Sequence, residues 1–175
     1  MLLEQILAAN VKFCAQYIPQ QLSPNPRRRL AVLTCMDCRL SGILEAAMGL
    51  DTGDAIFLKN AGNRVLNNED VVRSLAAAVY ELGVDEIIVV GHTKCGMKNI
   101  EGTAILQQMV KRGVVTGLKP AEIEEWLGKI QDEETNIKEA VQQLQSSKWL
   151  PKDLSIHGLL LDISTFRLKK VVSGY

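Results

Sequence analysis

Three side chains with the donor chemistry of a metal centre fall in two short clusters. Cys35 opens Cys35-Met36-Asp37-Cys38-Arg39, and His92 and Cys95 bracket His92-Thr93-Lys94-Cys95. Two thiolates and one imidazole are a common donor set for catalytic zinc, whose fourth position must stay open for water or substrate. The thiolates cancel the charge of the dication, so water there is acidified less than beside three neutral imidazoles and needs a further group. Asp37, two residues after Cys35, can accept a hydrogen bond from that water, while Arg39 keeps the carboxylate ionised and oriented. Were Asp37 itself the fourth ligand, the site would be closed to water, and the residue would act as a switch.

Each of these residues also has a plainer reading. A lone cysteine or histidine is commonly inert and buried, which leaves the joint pattern unexplained. Cys35-x-x-Cys38 has the spacing of a redox pair, but that reading gives no role to His92-x-x-Cys95. On a strand-like alternation Cys38 faces away from Cys35 and serves as packing. Lys94 puts a cation between two donors, where it either favours bound anions or snorkels to solvent. His157 lies in a strand-like run and reads as a satisfied structural histidine rather than a proton shuttle.

The clusters need elements to hold them. Leu30 to Thr34 is an apolar strand ending in Cys35, and Ile43 to Met48 is a short helix before Gly49. A second strand, Ala55 to Leu58, leads into the polar loop Lys59-Asn60-Ala61-Gly62-Asn63-Arg64. The spacing predicts a helix over Val71 to Leu82, ended by Gly83, and a third strand over Glu86 to Val90. Three buried-type strands alternating with helices predict an α/β fold, a mainly parallel sheet with flanking helices and functional loops at the strands' carboxyl ends. Further on, Ile105 to Val110, Ala121 to Ile130 and Glu134 to Leu144 keep helical spacing, as covering helices would. Leu154 to Ile163 and Leu168 to Val172 flank a turn at Ser164-Thr165, a closing hairpin of which one strand joins the sheet. Leu2, Leu3, Ile6, Leu7, Val11 and Phe13 predict an amphipathic N-terminal helical arm, cut off by Pro19.

Composition narrows the class. With 175 residues and 47% hydrophobic content, the chain is read as one domain over residues 1–175. Its 20 basic and 20 acidic residues leave no net field to attract nucleic acid or an anionic membrane. Arg27-Arg28-Arg29 is read as a solvated strand edge. Neither an export leader nor a membrane-length apolar run is present, so a cytoplasmic protein with reduced cysteines is expected.

At Cys35-x-Asp37-x-Arg39 and His92-x-x-Cys95 the sequence resembles the β-class carbonic anhydrases, closest to their compact prokaryotic branch. The likeness extends through Lys59-Asn60-Ala61-Gly62-Asn63 and Ile156-His157-Gly158-Leu159-Leu160-Leu161-Asp162. It implies one zinc ion per chain on Cys35, His92 and Cys95, with Asp37 and Arg39 as the activating dyad. It implies reversible hydration of carbon dioxide to bicarbonate and a proton by zinc-bound hydroxide, in an apolar pocket lined by Ala61, Gly62 and Val65. It also implies an antiparallel edge strand and a homodimer or assembly of dimers gripped by the N-terminal helix. Two departures stand out: Cys38 replaces a small hydroxyl residue, and Lys94 an acidic or small one. Relatives of this kind also suggest a hydrolase of carbonyl sulfide or carbon disulfide, and a second alternative is a non-catalytic zinc-stabilised scaffold or bicarbonate sensor in which Asp37 closes the metal.

Overall fold

The computed structural model describes residues 1–66, 69–115 and 117–175. Among these residues five strands form one sheet: β1 (Leu30–Cys35), β2 (Ala55–Asn60), β3 (Glu86–His92), β4 (Ser155–Leu161) and β5 (Leu168–Val172), in the order β2-β1-β3-β4-β5. The first four pair in parallel, and β5 runs antiparallel along β4. All six residues of β1 are buried, as its unbroken apolar run requires of a strand covered on both faces. β2 and β3 run two residues beyond the apolar stretches that announce them, because pairing with β1 and β4 carries the backbone on to Asn60 and His92. The closing hairpin differs from expectation: both its strands join the sheet. Its turn is held by Asp162 Oδ1, which accepts from the backbone N–H groups of Ser164 and Thr165 at 2.7 and 3.1 Å.

Among the described residues six α-helices accompany the sheet: α1 (Leu2–Cys14), α2 (Ile43–Ala47), α3 (Glu69–Tyr80), α4 (Gly102–Lys111), α5 (Pro120–Leu127) and α6 (Glu133–Ser146). α3 begins two residues before its apolar pattern, since Glu69 and Asp70 suit the positive end of a helix dipole. Asp132 caps α6 by accepting from Thr135 N–H at 2.8 Å. α3 and α6 cover one sheet face, with Leu33, Leu75, Ile87, Val89, Ile137 and Ile156 in the core between. The other face gathers Val32, Leu40, Leu44, Val90, Ile130 and Leu161 together with Cys35 and Cys95. α4 is not the covering helix its spacing predicts: only Gly102 in it is buried, and it packs against α5 instead of the sheet.

α1 buries none of its residues. Leu2, Leu3, Ile6, Leu7, Val11 and Phe13 are all exposed, an apolar surface of the kind that marks an interaction site. Among the described residues no helix is long and apolar enough to cross a membrane.

α6 seats closely on β3 and β4 because two strand residues there lack side chains. A Cβ at Gly91 would fall 2.8 Å from Ile137 Cδ1, and one at Gly158 would fall 2.5 Å from Ile137 Cγ2. Gly158→Ala is therefore expected to cost about 1–3 kcal/mol by overpacking. In an Ile137→Ala background, itself about 2–5 kcal/mol down, that cost should shrink. Urea unfolding at one fixed protein concentration measures both, and strictly additive losses would contradict this packing.

Candidate metal centre

β1 pairs with β3 in register, Thr34 opposite Val90, which puts Cys35 at the level of Gly91 and one residue short of His92. β2 lies on the far side of β1, so the crossovers on either side of β1 run in opposite directions. Between β1 and β3 the loops therefore diverge and leave a crevice at the strands' carboxyl ends, where α/β sheets bind ligands. Cys95 returns to that crevice on the turn after β3. Thr93 N–H donates to Leu161 O at 2.9 Å, and Lys94 takes a left-handed conformation, φ +54°.

Cys35 Sγ, Cys95 Sγ and a ring nitrogen of His92 all lie within 4.8 Å of one another, and all three residues are buried. The two sulfurs are 3.9 Å apart. Two thiolates each about 2.3 Å from a tetrahedral zinc would stand about 3.8 Å apart, so the spacing fits such an ion. His92 Nδ1 lies 3.0 Å from the carbonyl of Thr93, which takes the ring proton and leaves Nε2 a bare acceptor. That buried Nε2 has no hydrogen-bond partner, and the nearest carboxylate oxygen, Asp37 Oδ2, is 3.7 Å away. A desolvated lone pair facing two sulfurs is costly unless something electrophilic occupies the space between them.

The thiols share one proton. The S–H of Cys95 donates to Cys35 and lowers its pKa to about 4 against the opposing effect of burial; His92 and the backbone N–H groups of Gly62 and Asp37 add to the lowering. Cys95, donor to a neighbouring thiolate and buried besides, is pushed up. Burial works against charging His92, yet the nearby Cys35 sulfur and the Thr93 carbonyl outweigh that and raise it.

Asp37 and Arg39 form a fork. Arg39 Nε donates to Oδ1 at 2.9 Å and Nη2 to Oδ2 at 2.6 Å, while the backbone N–H of Arg39 also reaches Oδ1 at 3.0 Å. This bidentate pair lowers Asp37 to about 2. Because the folded value is depressed, the pair stabilises the fold above about pH 4. That contribution is lost as the pH falls through about 2. Arg39 Nη2 also donates to Lys94 O at 3.1 Å, so one guanidinium spans both metal-donor loops.

The family model for carbonic anhydrase matches residues 30–168, which takes in both clusters and the strands that carry them. The chain belongs to the β-carbonic anhydrase family. A crystal structure of β-carbonic anhydrase isoform I from Trichomonas vaginalis superposes with a TM-score of 0.89 at 35% identity, covering 100% of both chains. The carbonic anhydrase of Streptococcus mutans superposes with a TM-score of 0.83 at 31% identity over 98% of each chain. A carbon disulfide hydrolase of Acidianus sp. (strain A1-3) is 32% identical, over 84% of this chain and 78% of its own.

Within this β-carbonic anhydrase chain the remaining residues singled out by sequence divide. Gly62 is buried in the turn Ala61–Asn63 with φ +72°, where a Cβ would meet Met97 Cγ at 3.1 Å. Ala61 opens the same turn. Val65 is not brought to the centre: its side chain packs with the α3 and α6 core on the opposite face from Cys35 and Cys95. Cys38 is not packing either, for the chain leaves the strand at Cys35 and turns, exposing Cys38 at the start of a 3-10 turn, Cys38–Leu40. Lys94 is exposed, with Nζ 3.2 Å from Ser164 Oγ. His157 is structural: Nδ1 accepts from Gly174 N–H at 3.0 Å and Nε2 lies 3.2 Å from Glu86 Oε1. The three arginines border the strands as expected, with Arg27 and Arg28 on Asp54 and Arg29 on Asp85. Backbone contributors escaped the sequence, among them the Thr93 carbonyl that sets the His92 tautomer and the Lys94 carbonyl that anchors Arg39.

Since Cys95 keeps its proton in the metal-free pair, Zn2+ uptake at pH 7 should expel at least one proton per chain, and more to the extent that His92, whose pKa is raised, carries a charge. The number should rise as the pH is lowered and His92 and then Cys35 protonate, and affinity should fall with it. Titration calorimetry in buffers of different ionisation enthalpy counts these protons. Zinc binding with none released would contradict a shared proton.

Proposed function

We propose that this chain catalyses the reversible hydration of carbon dioxide to bicarbonate and a proton, with one Zn2+ per chain held by Cys35 Sγ, His92 Nε2 and Cys95 Sγ. The Asp37 and Arg39 fork beside those three donor atoms is the observation that supports this most directly. When bound, the ion supplies Lewis acidity, which brings the deprotonation of water towards neutral pH. Asp37 Oδ2, 3.7 Å from His92 Nε2, is placed to accept a hydrogen bond from the reacting water and to aim its lone pair. With its pKa held at about 2 by Arg39, Asp37 is too weak a base to keep the proton, so it orients the water and the proton passes on to solvent. Arg39 acts through Asp37 and is a positioning residue. The fork engages both carboxylate oxygens, which favours an open site over one closed by Asp37 as fourth ligand. Carbon dioxide has no charge and no donor, and Ala61, Gly62 and the covering Met97 offer an apolar wall for it.

A second reading rests on the Acidianus carbon disulfide hydrolase, 32% identical to this chain. Carbon disulfide and carbonyl sulfide are linear and uncharged like carbon dioxide, so the same donors and dyad would serve their hydrolysis. The scaffold or sensor reading gains no support, since it needs Asp37 turned away from Arg39.

We further propose that residues 1–175 act as a single domain, in the cytoplasm, and as a homodimer in which α1 packs its apolar face on the second copy. The exposed Leu2, Leu3, Ile6, Leu7 and Val11 need such a cover.

Asp37→Asn preserves shape and loses the charge, and should lower carbon dioxide hydration about 100-fold or more while zinc content stays at one per chain. Stopped-flow pH change measures it, with carbonyl sulfide and carbon disulfide run in parallel. Full-rate hydration by the variant would remove Asp37 from the mechanism. Zinc-loaded wild type that consumes only the sulfur compounds would favour the second reading. For the dimer, Leu7→Glu with Val11→Glu should shift sedimentation to the monomer, and an unchanged dimer would free α1 of that role.

A further inference from the structure

Thr93 stands between the metal donors His92 and Cys95, and three of its groups are engaged. Its N–H donates to Leu161 O at 2.9 Å, where β4 ends. Its hydroxyl Oγ1 accepts from the backbone N–H of Ile163 at 3.1 Å, in the turn that joins β4 to β5. Its carbonyl lies 3.0 Å from His92 Nδ1, and since a carbonyl only accepts, the ring nitrogen donates there. The first two bonds pin Thr93 at two points on the hairpin, and the third passes that position on to the imidazole. The turn that holds it is firm. Asp162 N–H donates to Arg167 O at 3.0 Å, the Asp162 carboxylate accepts from Ser164 and Thr165, and Ile163 packs its side chain on the cluster that contains Cys35 and Cys95. Valine in place of Thr93 would match its shape and leave the partly buried Ile163 N–H without its acceptor.

We propose that Thr93 is a positioning residue of the metal centre: its hydroxyl ties the loop after β3 to the β4–β5 turn, so that the Thr93 carbonyl stays on His92 Nδ1 and Nε2 is presented to the metal. A ligating histidine whose other nitrogen is held is fixed in tautomer and ring orientation, and loss of such a partner typically weakens metal binding by about 10–100-fold. Any residue type would supply the carbonyl, so the hydroxyl is the contribution specific to threonine or serine. The inference rests on Cys35, His92 and Cys95 being the ligands.

Thr93→Val keeps the shape and removes the acceptor for Ile163. Chelator competition should give it a zinc affinity about 10–100-fold below wild type. The chain has 2 histidines, so NMR of isotope-labelled, zinc-loaded protein can follow the His92 ring proton by itself. In wild type the proton on Nδ1 should be protected from exchange with water, and in Thr93→Val its signal should be lost to fast exchange. Thr93→Ser, which keeps the hydroxyl, should restore both affinity and protection. If Thr93→Val binds zinc as wild type does, or keeps its ring proton protected, the proposal is overturned and Thr93 is a purely structural residue, even where the variant melts earlier. A Thr93→Ser variant as impaired as Thr93→Val would overturn it too. Should Thr93→Val not fold, exchange in the wild type decides: protection at both Ile163 N–H and His92 Nδ1 supports the proposal, and free exchange at either overturns it. Wild type that fails to hold one zinc per chain would instead overturn the ligand assignment, a result distinct from all of these.

Discussion

Adjacency of β1 and β3 is the constraint on which the centre depends. Neighbouring strands lie about 4.8 Å apart, and in parallel register their carboxyl ends come out side by side. Cys35 and His92 are the last residues of those two strands, so the sheet sets the separation of two donors before any loop folds. Reversal of the crossover direction then opens the crevice between them. Only Cys95 depends on loop geometry. It is drawn in where Thr93 pairs with Leu161 and the chain turns left-handed at Lys94. A rigid core beneath, with Val32, Val90 and Leu161 packed in contact with Cys35 and Cys95, keeps the arrangement from relaxing.

Charge is the second problem the structure solves. Two sulfurs and the Asp37 carboxylate share one small volume, and three negative charges there would repel one another and the buried surroundings. Without a metal, the thiols relieve this by sharing a proton, as the opposite shifts of Cys35 and Cys95 record. Asp37 is relieved differently, by the forked guanidinium of Arg39. Because Arg39 is anchored to the Lys94 carbonyl as well, its charge stays where the carboxylate needs it, and movement of either donor loop is felt by the other.

How much of this was legible in the sequence follows from which interactions are written in side chains. The donors Cys35, His92 and Cys95 were readable because metal chemistry restricts residue type, and the strands carrying them because burial on both faces leaves an unbroken apolar run. Asp37 and Arg39 were readable from their nearness to Cys35. Val65 was misplaced because a single apolar residue after a glycine turn can go to either sheet face, and packing beneath α3 and α6 decides it. Cys38 was misplaced because alternation was carried past the strand's end. α4 misled for a different reason: amphipathic spacing says that a helix has an apolar side, not which neighbour takes it, and here α5 does. The grip of Asn136 on Gly62 left no signal, since it joins a helix side chain to a backbone carbonyl and depends on the tertiary fold alone.

The backbone itself carries the remaining specification. Gly62, Asn63 and Lys94 have φ of +72°, +48° and +54°, and they lie on two loops bordering the donors. Glycine adopts this region freely, asparagine tolerates it, and a lysine there pays a steric cost. Strain of this kind persists only where surrounding contacts over-determine it. Around Gly62 those contacts are Asn136 and Met97; around Lys94 they are Arg39 on its carbonyl and Ser164 at its ammonium. Both turns direct backbone groups that a relaxed chain would point elsewhere: the Gly62 carbonyl towards Asn136, and the Lys94 carbonyl towards the arginine that holds Asp37. A side-chain group could replace neither without filling the crevice, so this space beside the metal donors stays open because the polar work is done by peptide groups.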